Sequence, residues 1–447
     1  MQEQGLQRKM GFWAIWALGV GAVVGDGMFL IVASGAEAAG PAAAVAYLIA
    51  GVILMLICMN VCDLAVGMPS EGSLYDWNKR ILGPRAGLIA AFGEMAMNII
   101  FLGSVGLGTG YLSNYFFQWT DNPDISAVIW GILFLVVICG VALLGGDITG
   151  KAQLILVAVL VGIMVAFIIG GIFSGKIEPA NYEPFAPHGM KGIWVAVCAG
   201  TYAYMGPLAL VTTSGEVKRP EILPKAMFWA FLTIILMYII AMVVCFGLVD
   251  YTEFSTMASP FTVAAAAAFG QWAGLVINFA AWVAVITCLV GEIFTVSRLM
   301  YGMAKEKAMP DVFAKLNKRG VPYVGVIFGF IVGVVLVFMG TIAALGNVYV
   351  MLANVASACG IVCMFVTLIS SYIYKKKFAE EYNAMPWKMP AKTLSVIVGL
   401  IGCAILMWSL FGSSVATLIF TLIVFALLLI FFQFYAKPRI EEKEKNS

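Results

Sequence analysis

The stretch GVGAVVGDGMF, residues 19–29, interrupts the first apolar segment of the chain with four glycines and an acid. Each glycine costs a helix roughly 1 kcal/mol relative to alanine, and Gly25 and Gly27 flank Asp26 with residues that tolerate non-helical backbone. Such backbone is tolerated at bilayer depth only where it faces protein or a water-filled cavity. The stretch therefore predicts a break in a membrane helix, with a polar site inside the membrane.

The composition is that of an integral membrane protein that lies in a lipid bilayer. Of 447 residues, 62% are hydrophobic and 11% are charged, whereas soluble domains carry about 25% charged residues. The net charge of +2 is too small to suggest a nucleic-acid partner, and no basic run is interleaved with aromatic residues. Because the nine cysteines lie in apolar segments with no histidine or acid spaced for metal binding, we expect no metal and no cofactor.

Twelve apolar stretches are long enough to cross a bilayer, at about 20 residues each. With the N-terminus inside, 24 of the 26 lysines and arginines fall on the cytoplasmic side, as the positive-inside rule predicts. We therefore expect a multi-pass protein of the cell (plasma or inner) membrane with both termini cytoplasmic. The stretches are 11–36, 42–67, 86–117, 126–145, 152–173, 190–213, 227–249, 271–300, 322–340, 342–373, 393–411 and 414–436.

A second interruption lies in the sixth stretch, where Pro207 removes a backbone donor and frees carbonyls of the preceding turn. Breaks five helices apart lie in halves of opposite orientation, which is the pattern of an inverted-repeat transporter whose site lies where the breaks meet. The C-terminal tail is charged, and we expect it to be disordered. The predicted organisation is a cytoplasmic tail (1–10), a first repeat of helices 1–5 (11–173), a second repeat of helices 6–10 (190–373), helices 11–12 (393–436) and a cytoplasmic tail (437–447).

Four motifs, in this order along residues 11–322, resemble those of the amino acid-polyamine-organocation (APC) superfamily. The resemblance implies an all-α membrane protein with twelve transmembrane helices, in a LeuT-type 5+5 inverted repeat plus two extra helices. It also implies a secondary transporter of amino acids or amines that works by alternating access, without covalent chemistry. The motifs are G-x-x-x-G-x-G-x-F at 21–29, PSEGSLY at 69–75 with LGP at 82–84, GEVKRP at 215–220 with Pro224 and Ala226, and SRLMYGMA at 297–304 with Pro310.

The resemblance implies that the substrate binds between the two breaks. In the family, backbone amides of the first break bind the substrate carboxylate, and carbonyls of the second bind its ammonium. The family pattern also places an aromatic gate at Tyr202, where a ring can cover a cation. The predicted substrate-binding residues are Val24, Gly25, Asp26 and Gly27 in helix 1, and Tyr202, Ala203, Tyr204, Met205 and Gly206 in helix 6.

Three departures from the family pattern leave the coupling ion, proton or sodium, open. Many members have a small polar residue where this chain has Asp26. Some exchangers of the family carry a proton-sensing acid after the proline of helix 6, where this chain has Leu208. Many proton-coupled members have a lysine midway along helix 5, but residues 157–163 here read VAVLVGI.

Asp26 conflicts with a substrate carboxylate in the same break, because two like charges in a low-dielectric site repel by several kcal/mol. Either Asp26 pairs with a substrate ammonium, which we favour, or it is protonated when an amino acid binds, so that proton and substrate are coupled. A third interpretation is that Asp26 only caps the second half of helix 1 through amides near Phe29.

Two further acids within helices are coupling candidates beside Asp26, because intramembrane acids are costly and often functional. Glu292 lies on helix 8, which packs near the helix 1 break in this family, and its structural alternative is an ion pair with a residue such as Arg298. Glu94 lies on helix 3, where Asn98 at i, i+4 is an equally good structural partner.

The sequence favours a secondary active transporter, by symport or exchange, for a small amine or amino acid whose ammonium pairs with Asp26. The alternative is a neutral amino acid permease in which Asp26 titrates. A different class is a membrane substrate sensor, although no soluble signalling domain is evident. We do not expect an enzyme, because no nucleophile–base pair or metal cluster appears. The oligomeric state stays open.

Overall fold

A computed structural model describes residues 11–70, 72–144, 146–212, 214, 217–254, 259–342, 347–413 and 415–446. For 146–152, 209, 212, 413, 444 and 446 only the backbone is described. The predicted N-terminal tail, Glu71 and the Gly215–Glu216 pair of the third motif lie outside these ranges.

The described part of the chain contains helices and no β-strand. The α-helices are α1 (Phe12–Val23), α2 (Asp26–Phe29), α3 (Ile31–Ala39), α4 (Ala43–Gly67), α5 (Leu74–Leu82), α6 (Pro84–Asn114), α7 (Pro123–Leu143), α8 (Gly146–Phe173), α9 (Gly189–Ala203), α10 (Leu208–Thr212), α11 (Ile222–Leu248), α12 (Pro260–Phe269), α13 (Gln271–Lys305), α14 (Tyr323–Phe338), α15 (Val348–Lys377), α16 (Ala379–Ala384), α17 (Lys392–Ser413), α18 (Val415–Phe431) and α19 (Lys437–Asn446).

Ten helical stretches in the described residues are long and apolar enough to cross a membrane, which confirms the multi-pass membrane class. One of them, Asp26–Gly67, has 42 residues, about twice the length that one crossing needs. The helices shortened by the breaks, such as α1 and α9, are shorter than the roughly 20 residues that one crossing needs. The count of twelve crossings therefore stays a prediction.

Both predicted breaks are present. α1 ends at Val23, Val24 is extended, and a new short helix begins at Asp26 after Gly25. α9 ends at Ala203, and α10 begins at Leu208 after Pro207. The glycines and the proline thus interrupt the helices where their conformational preferences predict.

The long helix α6 lies at the centre of the bundle. It is buried along nearly its whole length and contacts α7, α13, α14 and α15. The helices α8, α14 and α18, by contrast, expose apolar side chains such as Phe173, Val335 and Leu427. This arrangement is expected for a protein in lipid, where the outer helices are as apolar as the core.

A buried ion pair, which the sequence alone does not predict, joins α4 to the start of α17. Lys392 Nζ lies 2.7 Å from Asp63 Oδ2, and both side chains are excluded from solvent. Asp63 also accepts hydrogen bonds from the Met389 amide at 2.8 Å and the Tyr382 hydroxyl at 3.3 Å. Lys392, one of the basic residues that the sequence places on the cytoplasmic side, is thus buried in the bundle rather than exposed in a loop, because Asp63 compensates its charge.

The C-terminal tail is helical where we expected disorder. α19 is tied to the end of α13 by an ion pair of 3.0 Å between Lys443 and Glu306, and Glu306 also pairs with Lys79 of α5 at 2.9 Å. Partial burial alone would raise the pKa of Glu306, but the hydrogen bonds from the two lysines outweigh it and lower the pKa. These charged contacts hold the tail against the bundle and keep it ordered.

Candidate functional site

Asp26 is buried between the first break, the second break and α6. Its Oδ2 accepts a 2.7 Å hydrogen bond from the Tyr202 hydroxyl, and the Ser104 hydroxyl lies 3.2 Å from the same tyrosine oxygen. When Tyr202 gives its one proton to Asp26, the tyrosine oxygen can accept from Ser104, whose hydroxyl also lies 3.4 Å from the Phe101 carbonyl oxygen. A methyl group at Gly108 would lie only 3.0 Å from Asp26 Oδ2, so this glycine leaves room for the carboxylate.

Asp26 is the first residue of α2, and its carboxylate interacts with the backbone amides of Asp26 and Gly27. The interpretation of Asp26 as a cap therefore stays a hypothesis. The carboxylate also faces Tyr202 and Tyr349, and the Tyr349 hydroxyl has no hydrogen-bond partner of standard geometry. Asp26 thus contacts side chains of other helices as well as its own backbone.

The two breaks are in direct contact. A methyl group at Gly27 would lie 2.6 Å from the Ala203 Cα, and one at Gly206 would lie 2.4 Å from the Ala22 carbonyl oxygen. Gly206 also has a φ of 109°, which disfavours any residue with a side chain. Only glycine at these two positions allows the two backbones to approach so closely.

The predicted site residues face different helices around the contact between the two breaks. Val24 and Gly25 lie beside Asp26 in the first break, and Gly25 packs on Cys288 of α13. Met205 reaches α15, where a methyl group at Gly360 would lie 3.3 Å from its sulfur. Tyr204 packs instead between α4 and α11, with its ring 5.0 Å from that of Tyr238. The structure thus brings Tyr202, but not Tyr204, to Asp26.

Two tyrosines from neighbouring helices, which are not among the predicted site residues, donate to carbonyls of the breaks. The Tyr47 hydroxyl of α4 donates to the Gly27 oxygen at 3.3 Å. The Tyr238 hydroxyl of α11 lies 3.3 Å from the Val23 oxygen and 3.2 Å from the Ala203 oxygen. Pro207 predicts that the Ala203 carbonyl needs another donor, since proline lacks the amide that would bond to it. The sequence does not show which side chain supplies this donor.

Glu292 lies close to the first break on α13. Its Oε1 accepts a 3.2 Å hydrogen bond from the Cys288 thiol, and its Oε2 has no partner. The expected alternative partner, Arg298, instead stacks its guanidinium on the Phe294 ring. Glu292 is thus a buried acid without a cationic partner among the described side chains.

Glu94 pairs with Asn98, as the i, i+4 spacing predicts. The Asn98 amide donates to Glu94 Oε1 at 3.3 Å and to the Glu94 carbonyl at 2.7 Å. Its other carboxyl oxygen is buried without a hydrogen bond. No described basic side chain forms an ion pair with Glu94, so a role in carrying a proton stays compatible with its surroundings.

A neutral side chain of α8 approaches the first break. Gln153 Nε2 donates to the Thr287 carbonyl oxygen of α13 at 3.2 Å, and a methyl group at Gly21 would lie 2.3 Å from the same nitrogen. Gln153 thus joins α1, α8 and α13. Gln153 precedes residues 157–163, the stretch in which many proton-coupled family members have a lysine.

Comparisons with known proteins agree with this architecture. The family model described as "Amino acid permease" matches residues 15–445. Relatives include the "Uncharacterized amino acid permease YtnA" of Bacillus subtilis (strain 168), 28% identical over 87% of this chain and 86% of the relative. The "Branched-chain amino acid permease BcaP" of Lactococcus lactis subsp. cremoris (strain MG1363) is 27% identical over 88% of each chain.

A third relative matches almost end to end. The "Gamma-aminobutyric acid permease" of Bacillus subtilis (strain 168) is 23% identical over 99% of this chain and 96% of the relative. These matches confirm the resemblance to the APC superfamily and indicate a transporter rather than an enzyme. The chain is a multi-pass membrane protein of the amino acid permease family.

Proposed function

We propose that this protein is a secondary active transporter of an amino acid or small amine whose ammonium group pairs with Asp26. The observation that carries the proposal is a buried carboxylate in the first break with no ion-pair partner among the described lysines and arginines. Leaving such a charge uncompensated in a low-dielectric interior is costly. A substrate ammonium supplies the missing positive charge.

Tyr202 acts as the gate of this site. Its hydroxyl donates a hydrogen bond to Asp26 Oδ2, and its ring centroid lies 5.2 Å from that of Phe101 in an edge-to-face arrangement. Asp26 and Tyr202 are both shielded from solvent, with 2% and 5% exposure. Tyr202 must therefore move or share its acceptor when a substrate ammonium binds, and its ring then lies where it can cover the cation.

A second candidate is a neutral amino acid permease in which Asp26 titrates. It is favoured by the relatives named for branched-chain amino acids and γ-aminobutyric acid, which are substrates that carry a carboxylate. If that carboxylate lies in the first break, a proton on Asp26 removes the repulsion. Glu94 and Glu292, which form no ion pair with the described lysines and arginines, are further candidates for carrying the coupled proton.

We further propose alternating access with a LeuT-type inverted repeat, twelve crossings and both termini in the cytoplasm of a cell-membrane protein. Support comes from the two breaks, five predicted segments apart, and from their direct contact. The asymmetry of lysine and arginine along the chain supports the orientation. Binding at the contact between the repeats allows one half to rock against the other around a fixed site.

Uptake into proteoliposomes tests the proposal. Leucine and its decarboxylated amine, 3-methylbutylamine, form a matched pair, and γ-aminobutyric acid is a third probe. If pairing with Asp26 dominates, 3-methylbutylamine competes with the transported amino acid and Asp26→Asn abolishes uptake. If Asp26 titrates, only carboxylated probes compete and uptake rises as the outside pH falls. Near-normal accumulation of substrate by Asp26→Asn under an imposed pH gradient would contradict both mechanisms, since asparagine can neither pair with an ammonium as an anion nor carry a coupled proton.

The same assay separates a transporter from a substrate sensor. Purified protein in liposomes contains no signalling partner, so concentrative uptake of any of the three probes, driven by an imposed pH or sodium gradient, requires transport. Binding without uptake, measured as thermal stabilisation by the same probes, would favour the sensor.

A further inference from the structure

The carbonyl groups of Val23 and Ala203 have each lost the backbone donor that a continuous helix would supply. In a helix, the Ala203 oxygen accepts from the amide four residues later, but that residue is Pro207, which has no N–H. The helix containing Val23 ends there, because Val24 and Gly25 are not helical. Both orphaned carbonyls are in the buried interior, where a missing hydrogen bond is costly.

A single side chain lies against both carbonyls. The Tyr238 hydroxyl is 3.3 Å from the Val23 oxygen and 3.2 Å from the Ala203 oxygen. Tyr238 is fully buried in α11, and its ring packs on Tyr204 at 5.0 Å and on Tyr47 at 6.3 Å. These ring contacts fix the position of the hydroxyl between the two breaks.

We propose that Tyr238 is a positioning residue that links the two breaks through one shared proton. A phenol has one proton to donate, so it bonds to one carbonyl at a time while lying within reach of both. The hydroxyl therefore holds the two breaks side by side without favouring either one. Such a link can follow a relative movement of the breaks, whereas two separate donors would each hold only one of them.

This inference rests on the proposed function, because it assumes that substrate binds where the breaks meet. The site is assembled from both breaks, and its geometry is set before substrate arrives only if they are held together. Without the Tyr238 hydroxyl, part of the binding free energy is spent on ordering the two backbones. We therefore expect weaker substrate binding with little change in the maximal rate.

Tyr238→Phe removes the hydroxyl and keeps the ring contacts. In proteoliposomes, with whichever of leucine, γ-aminobutyric acid or 3-methylbutylamine the unaltered protein takes up fastest, we expect KM to rise about fivefold to tenfold, as for the loss of one hydrogen bond. The maximal rate should stay within twofold. Tyr374→Phe is the matched control, because it deletes another buried hydroxyl, at the far end of α15, and should leave KM unchanged.

Incorporation of 4-aminophenylalanine at position 238 supplies a second test that does not depend on the stability of the Phe variant. Its neutral amine is close in size to the hydroxyl and has two N–H donors, so it can satisfy both carbonyls. We expect a KM within twofold of the unaltered protein. A KM for Tyr238→Phe within twofold of the unaltered protein, or equal KM values for the phenylalanine and 4-aminophenylalanine variants, would overturn the inference. Absence of uptake by the unaltered protein would instead refute the proposed transport.

Discussion

Replacement of Lys392 by methionine should destabilise the protein strongly, although Lys392 lies away from both breaks. Lys392 and Asp63 are 2% and 0% exposed at their side chains, and Lys392 also donates to the Asn60 carbonyl at 3.1 Å and to the Ser371 hydroxyl. Methionine fills a similar volume but leaves the Asp63 charge without compensation. Removing one partner of a buried ion pair typically costs about 3–5 kcal/mol.

The corresponding change in thermal stability follows from chain length. Unfolding entropy near 60 °C is about 2.1 cal/mol/K per residue, which for 447 residues gives about 0.9 kcal/mol/K. A loss of about 3–5 kcal/mol should therefore lower Tm by roughly 3–5 °C. The assay is thermal unfolding of detergent-purified protein, followed by intrinsic fluorescence at one fixed scan rate, since membrane proteins often unfold irreversibly.

Two further variants make the comparison specific. Lys388→Met removes an exposed lysine of the same connection and should change Tm by less than 1 °C. The double variant Asp63→Leu/Lys392→Met leaves no charge buried and should recover part of the loss. Recovery is incomplete because the Met389 amide and the Tyr382 hydroxyl lose their acceptor. A Tm for Lys392→Met within 1 °C of the unaltered protein would refute the argument that Lys392 compensates a buried charge.

Two other predictions concern the second break and the C-terminal helix. Gly206→Ala places a methyl group 2.4 Å from the Ala22 oxygen at a φ of 109°, so we expect a loss of about 1–3 kcal/mol and at least tenfold slower uptake. The control Gly162→Ala, in α8, adds a methyl group that meets no atom within 4 Å, and we expect normal uptake. If Gly206→Ala and Gly162→Ala slow uptake equally, the steric explanation is wrong. Because the pKa of Glu306 is lowered below its usual 4.5, its contribution to stability is complete above about pH 4.5 and is lost as pH falls through the lowered value. At these partly exposed positions the contribution is about 1 kcal/mol or less. Glu306→Gln should therefore lower Tm by about 1 °C at pH 7 and by less at pH 3.5. A larger decrease in Tm at pH 3.5 than at pH 7 would contradict the predicted direction of the pH dependence.

The breaks were predictable because their causes are local. Glycine and proline change the backbone at their own positions, so the ends of α1 and α9 follow from a few residues of sequence. The location of Asp26 inside the first break follows in the same way. The Glu94–Asn98 contact was also predictable, since residues four apart share a helix face.

The partners of these groups were not predictable, because they come from distant parts of the chain. Asp63 and Lys392 are compatible with many partners until α4 and α17 pack together. A lysine near the end of an apolar segment has the same sequence pattern whether it is buried or lies in a loop. Likewise, Tyr238 resembles any tyrosine of an apolar helix, and only the fold brings its hydroxyl between two carbonyls.

If the substrate ammonium binds at Asp26 as proposed, it must compete with the Tyr202 hydroxyl, which already donates to this carboxylate. A ligand gains only the difference between its interaction with the carboxylate and that of the phenol it displaces, so a weak donor has almost no net affinity. An ammonium, which combines a full charge with several donors, exceeds the phenol, whereas a neutral alcohol of the same shape does not. Discrimination against uncharged metabolites would therefore arise from this internal competition and would need no steric exclusion.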